Sequence, residues 1–154
     1  MRHREMCELG AKWLKNHKSY VYRCNYVAVE LVSLCNEIPD VYGYKGDSRT
    51  ILLEAKTSRA DFLRDKKKIA RQNEGSGVGM YRYFLCPESM IKLDELPAGW
   101  GLLYIDADKR IKPVKQSDRF EKRDYDKEMT LMYSIMRRLA NGRRQVFNFK
   151  NNNS

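Results

Sequence analysis

A chain of 154 residues can bury one core without covalent staples and leaves no room for two ordinary domains. Its 30 Lys and Arg against 20 Asp and Glu give a net charge of +10. That balance favours a polyanionic partner without separating DNA from RNA or an anionic membrane. No apolar run approaches a membrane span, and the charged first residues lack a signal peptide's apolar stretch, so a cytoplasmic location is expected.

Residues 3–16 read as a helix, with Met6, Leu9, Trp13 and Leu14 forming the stripe that should cover a sheet. By helical angle Glu8 points away from that stripe and Glu5 lies nearer its flank; both read as solvated charges. His3 and Cys7 stand one turn apart and could share a face, but two ligands at a chain terminus read as incidental. Cys7, Cys24, Cys35 and Cys86 form no C-x-x-C pair, and His17 is the only other histidine. A zinc cluster is therefore not expected, and the cysteines read as reduced packing residues.

Residues 20–34 are apolar enough for a strand, with Val27, Val29 and Leu31 on one face and Tyr26, Ala28 and Glu30 on the other. On that second face Glu30 either joins a carboxylate cluster or meets water. Residues 38–44 and 49–57 then form a hairpin around Lys45-Gly-Asp-Ser48. A three-residue loop, 46–48, pairs 45 with 49 and 40 with 54. Asp40 then shares a face with Leu52, Glu54 and Lys56, whereas an even loop would put it on the Leu53 face. Two carboxylates converging beside a lysine suit a hard divalent cation, with the lysine orienting a water or stabilising charge on a phosphoryl group. The plain alternative is a surface ion pair between Glu54 and Lys56 on a half-exposed sheet.

A helix should follow from Ser58, whose hydroxyl and Asp61 make a capping box. Phe62, Leu63, Ile69 and Ala70 mark its buried stripe, and Arg59, Arg64, Lys66, Lys67, Lys68 and Arg71 crowd the remainder. Such a face could follow a phosphate backbone. The glycine-rich segment 74–79 lacks the Gly-Lys-Ser/Thr of a phosphate-binding loop and reads as a flexible connection. Residues 81–86 read as a buried strand closed by Pro87, and 102–105 and 110–114 as a second hairpin turning at 106–109. The last helix is expected over 119–141, with Tyr125, Met129, Met132, Met136 and Leu139 read as core, although such a stripe could also serve a dimer. Arg137, Arg138, Arg143 and Arg144 add a second basic cluster, and residues 151–154 read as a disordered tail.

The pattern Pro39-Asp40 … Glu54-Ala55-Lys56 resembles the PD-(D/E)xK nuclease superfamily. Residues 57–68, 81–87 and 96–103 extend the likeness to its MmcB-like and phage-encoded DNA-repair branch, over most of residues 3–106. The resemblance implies a restriction-endonuclease-like αβββαβ core. It also implies Mg²⁺, for which Mn²⁺ may substitute, held by Asp40, Glu54 and the Ala55 carbonyl, with Lys56 positioning water or stabilising the transition state. An additional acidic ligand from the first helix would fall on Glu8. Members that cut both strands commonly pair, so a homodimer is compatible. The expectation is one α/β domain over 1–150 with a mixed central sheet and a C-terminal helix. Its expected activity is metal-dependent hydrolysis of DNA in repair, restriction or phage metabolism, without membrane association. An idle nucleic-acid-binding module and an RNA-processing nuclease are the alternatives.

Overall fold

The computed structural model describes residues 1–31, 33–35, 37–142 and 146–148. Arg143, Arg144 and the tail at 151–154 lie outside them. The elements run α1 (His3–Asn16), β1 (Tyr26–Val29), β2 (Val41–Tyr44), β3 (Thr50–Ala55), α2 (Arg59–Lys66), α3 (Ile69–Gln72), β4 (Tyr81–Pro87), β5 (Gly101–Ile105), β6 (Ile111–Lys115), α4 (Tyr125–Ala140) and β7 (Val146–Asn148). The strands form one mixed sheet in the order β6-β5-β4-β3-β2-β1-β7, with β4 parallel to both β3 and β5 and the other pairs antiparallel.

Two cores lie on opposite faces of this sheet. Met6, Cys7, Ala11 and Leu14 of α1 pack on Val27, Val29, Val41, Ile51, Leu53 and Leu85. On the other face Phe62 of α2 and Leu131 and Ile135 of α4 gather with Ala28, Tyr42, Leu52, Phe84 and Trp100. Because helices cover both faces, β2 and β3 are buried along their whole lengths.

Both long helices are rotated by about a quarter turn from the stripes expected of them. In α1 the buried residues include Cys7, Gly10 and Ala11, while Leu9 and Trp13 stay at the flank. Small residues let the helix axis approach: a Cβ added to Gly10 would stand 3.0 Å from both Leu53 and Leu85. In α4 the buried residues are Glu128, Leu131 and Ile135, and the expected core of Tyr125, Met129, Met132, Met136 and Leu139 faces outward. The cause is polar. Glu128 Oε1 accepts from Tyr42 Oη at 2.9 Å, Thr50 Oγ1 at 3.1 Å and the Gly79 N–H at 3.0 Å, and its Oε2 meets Arg123 at 3.1 Å. Three partners on the sheet side, with Arg123 from the segment leading into the helix, fix its azimuth more tightly than a methionine stripe can. The helix also begins later than expected, at the Asp124 cap, because Phe120 and Asp124 give their N–H groups to Met80 and Gly77.

The first hairpin has the expected register, Val41 opposite Leu53 and Tyr44 opposite Thr50, and Lys45 donates to the Arg49 carbonyl at 3.1 Å. Ser58 caps α2 by accepting from the Asp61 N–H at 3.2 Å. The helix that starts there stops at Lys66 and resumes as α3, and Leu63, expected in the core, is exposed. The strand expected over 20–34 is confined to four residues, Tyr26–Val29. Its alternation breaks at Glu30, whose φ of 49° is left-handed. Leu31 consequently leaves the face of Val27 and Val29 and joins the opposite core.

Candidate functional site: a carboxylate row at the ends of three strands

Extending the ladder from 45/49 and 41/53 would next pair Pro39 with Ala55. Instead the Pro39 carbonyl accepts from Leu31 at 3.2 Å, and the Ala55 N–H donates to Asp40 Oδ2 at 2.8 Å. The chain before β2 thus follows β1 and parts from β3, and a carboxylate occupies the place of a ladder carbonyl. On the other side of Asp40, its carbonyl accepts from the Glu30 N–H at 2.8 Å. Glu30, Asp40 and Glu54 therefore stand side by side on three adjacent chain segments. Strand pairing aligns them.

Glu54 is buried. Burial, and then the charge of Asp40, push its carboxyl well above the usual carboxylate range, although Arg71 acts in the other direction. Arg71 Nη2 lies 2.9 Å from Glu54 Oε1, and its Nε is 2.7 Å from Asp65 Oδ2. The guanidinium sits 4.7 Å over the Trp100 ring, and Glu37 lies 3.7 Å away. Lys56 Nζ meets Asp65 Oδ1 at 3.0 Å, and Lys68 meets the same oxygen at 3.1 Å. Burial alone would raise Asp65, but Arg71 and Lys56 overcome it and hold its carboxyl below the usual range. The Glu54–Lys56 surface pair is not what forms: the strand is covered on both faces, and each residue takes a different partner.

The expected residues Asp40, Glu54, Ala55 and Lys56 are thus brought together; Glu30 is held beside Asp40 through its backbone, while its partly exposed carboxylate goes to His3 and Arg4. Glu8 does not join them: it pairs with Arg4 at 3.0 Å, and Glu5 pairs with Lys109 at 2.7 Å. Arg71, expected on a phosphate-facing surface, is an internal cation of the cluster, because three carboxylates face inward around it. Arg59 is tied to Glu95 at 2.6 Å and to the Met90 carbonyl at 2.8 Å. Lys66 lies 5.5 Å over the Phe62 ring, and Lys67 and Lys68 are exposed at the break between α2 and α3. Sequence reasoning missed Asp65 and Arg71 as members of the cluster. A signal existed, since Asp65 falls three residues after Phe62 on the apolar face of α2. His3 also reaches the row, with Nδ1 3.5 Å from Glu30 Oε1 and Nε2 3.3 Å from Asp40 Oδ2.

Asp40 and Glu54 each spend one oxygen on a protein N–H, and each keeps a second oxygen without such a donor among the described residues. Two hard oxygens suit a divalent cation, and at Glu54, where burial and the charge of Asp40 raise the carboxyl, the cation's charge would oppose both effects. No helix of the described residues is long and apolar enough to cross a membrane.

No family model matches the chain, and no curated protein is significantly similar to it. Among solved structures the chain is similar to the SPO1766 protein of unknown function from Silicibacter pomeroyi. The two share 22% identity over 90% of each chain, with a TM-score of 0.63. At that identity the likeness is one of fold.

Proposed function

We propose that the protein is a metal-dependent nuclease that hydrolyses phosphodiester bonds in DNA, built on the restriction-endonuclease-like core of the PD-(D/E)xK superfamily. One observation carries the reading. The carboxylates of Asp40 and Glu54 converge at the point where β2 parts from β3, with Lys56 two residues beyond Glu54 on the same face of the strand. The element order α1-β1-β2-β3-α2-α3-β4 supports it, since three strands framed by helices and followed by a parallel strand are compatible with an αβββαβ core.

Asp40, Glu54 and the Ala55 carbonyl would hold Mg²⁺ or Mn²⁺, which supplies Lewis acidity and a more acidic bound water. The chain's own residues do the rest. Arg71 keeps Glu54 Oε1 fixed, so the other oxygen is presented in one orientation. Asp65 holds the Lys56 ammonium next to the carboxylates, where it can orient a water or stabilise phosphoryl charge. Lys66, Lys67 and Lys68 flank the site and would follow the phosphate backbone, DNA being favoured over RNA by the resemblance alone.

A second reading is favoured by a specific feature: Arg71 and Lys56 already neutralise Glu54 and Asp65, as in a purely structural network. The protein would then bind nucleic acid without cutting it. Cleavage of single-stranded, duplex and branched DNA with Mg²⁺ or Mn²⁺ separates the two. The nuclease reading requires cutting by wild type that Asp40→Ala and Lys56→Ala both lose. DNA binding by an inactive wild type, undiminished in both variants, assigns the binding role. Equal cutting by all three would place the activity outside this cluster.

A further inference from the structure

The turn at Glu30 does more than align three carboxylates. Its left-handed backbone carries the side chain to the first turn of α1, where His3, Cys7 and Glu30 bring a nitrogen, a sulfur and an oxygen within 4.8 Å of one another. His3 and Cys7 occupy positions i and i+4 of the helix, so both project to one side. Cys7 Sγ lies 3.8 Å from His3 Nδ1, and His3 Nδ1 lies 3.5 Å from Glu30 Oε1. Ligands about 2.0–2.3 Å from a tetrahedral ion stand roughly 3.4–3.8 Å apart, so these spacings are already close to those of a bound set.

We propose that His3 Nδ1, Cys7 Sγ and Glu30 Oε1 form a binding site for a borderline-soft divalent cation of the Zn²⁺ type, separate from the oxygen-only pair Asp40 and Glu54. Its donor set decides the chemistry. Thiolate and imidazole prefer Zn²⁺ and its neighbours in the transition series, whereas Mg²⁺ takes oxygen. The outer contacts are in place on two sides. His3 Nε2 stands 3.3 Å from Asp40 Oδ2, so the ring can give its second N–H to a carboxylate while Nδ1 binds the ion. Arg4 Nη1 takes Glu30 Oε2 at 2.6 Å and leaves Oε1 directed at His3.

Cys7 is fully buried, and burial followed by the charges of Asp40, Glu30 and Glu54 holds its thiol pKa above the ordinary value. A cation reverses that field, so binding would release the thiol proton. His3 and Glu30 are partly exposed, which leaves the ion a way in from solvent. The site does not depend on the nuclease reading, but Asp40 touches both, so an occupied histidine site would steady the carboxylate that the nuclease needs.

The test is titration of the metal-free full chain with Co²⁺, read by thiolate-to-cobalt charge-transfer absorption, and competition with Zn²⁺. Wild type and Glu54→Gln should both show the band and bind Zn²⁺ with affinities within about threefold of each other. Cys7→Ser should abolish the band. His3→Ala, a change at a partly exposed position outside the two cores, should weaken Zn²⁺ binding at least about tenfold, in keeping with loss of one ligand. No band in wild type overturns the site, as does a band surviving Cys7→Ser, undiminished affinity in His3→Ala, or loss of the band in Glu54→Gln. Cleavage measured on the same samples is scored separately: a band without cutting removes only the nuclease reading, and cutting without a band removes only this one.

Discussion

Arg71 and Glu54 form a buried pair 2.9 Å apart, in which the guanidinium also serves Asp65 at 2.7 Å and lies against the Trp100 ring. A cation that three carboxylates share inside a protein belongs to the fold as much as to the site. Removing it takes a hydrogen-bond donor from Glu54 and leaves the buried Asp65 carboxylate to Lys56 and Lys68 alone, which costs more than the pair itself contributes. Arg71→Ala should lower stability by about 3–5 kcal/mol at neutral pH, measured by urea unfolding. The loss should shrink in acid. Asp65 is held below its ordinary value, so its stabilising contribution is present above about pH 4 and fades as pH falls through the folded-state pKa. A loss independent of pH would mean that packing on Trp100 dominates.

Glu54 has the opposite sign. Its folded pKa is raised, so the folded state holds a proton that the unfolded chain has already released above about pH 4.3. Ionising it in place is unfavourable, and Glu54→Gln keeps the acceptor for Arg71 without the charge. In the absence of divalent cations the variant should melt above wild type at pH 7, by on the order of 1 kcal/mol or about 2–4 °C, and match it near pH 4. Millimolar Mg²⁺ should raise the melting point of wild type and leave that of the variant unmoved. A variant that melts below wild type at pH 7 would contradict this account.

Glu128 sets the rotation of α4. Glu128→Ala would leave Tyr42, Thr50, the Gly79 N–H and Arg123 without their acceptor, and each buried orphan costs about 1–3 kcal/mol. Calorimetry should show a loss of at least about 3 kcal/mol, with Glu128→Gln recovering part of it because the amide oxygen still accepts.

The methionines of the same helix provide the contrast. Met129 and Met136 are 69% and 61% exposed, whereas Leu131 is fully buried. Met129→Ser with Met136→Ser should change folding stability by no more than about 0.5 kcal/mol per site, while Leu131→Ala should cost about 2–5 kcal/mol. Chemical denaturation of the two variants side by side decides it, and a large loss in the methionine variant would restore that stripe to the core.

The residues themselves fixed the hairpin register, the Ser58 cap and the strand ending at Pro87. These are local matters, governed by loop length, by the alternation of a strand and by a hydroxyl three residues from an N–H. They suffice to bring Asp40 beside Glu54 and to put Lys56 on the same side of the strand. The order of the predicted elements also implied helices packed on a mixed sheet. Only the tertiary structure decided how the helices turn and where the charges go. In α1 the small residues Cys7, Gly10 and Ala11 outrank Leu9 and Trp13 because close approach, more than hydrophobicity, selects the packed face. In α4 one carboxylate with four polar partners outranks five apolar side chains, since leaving those partners unmet would cost more than exposing methionine. Arg71 reads as surface charge until Glu54, 17 residues away in sequence, and Asp65 are folded around it. Glu30 reads as either inward or outward until its left-handed backbone turns it toward His3. Burial of a charge depends on partners that the chain assembles from a distance; the spacing of Asp65 from Phe62 marks the inward face of α2 but does not name those partners.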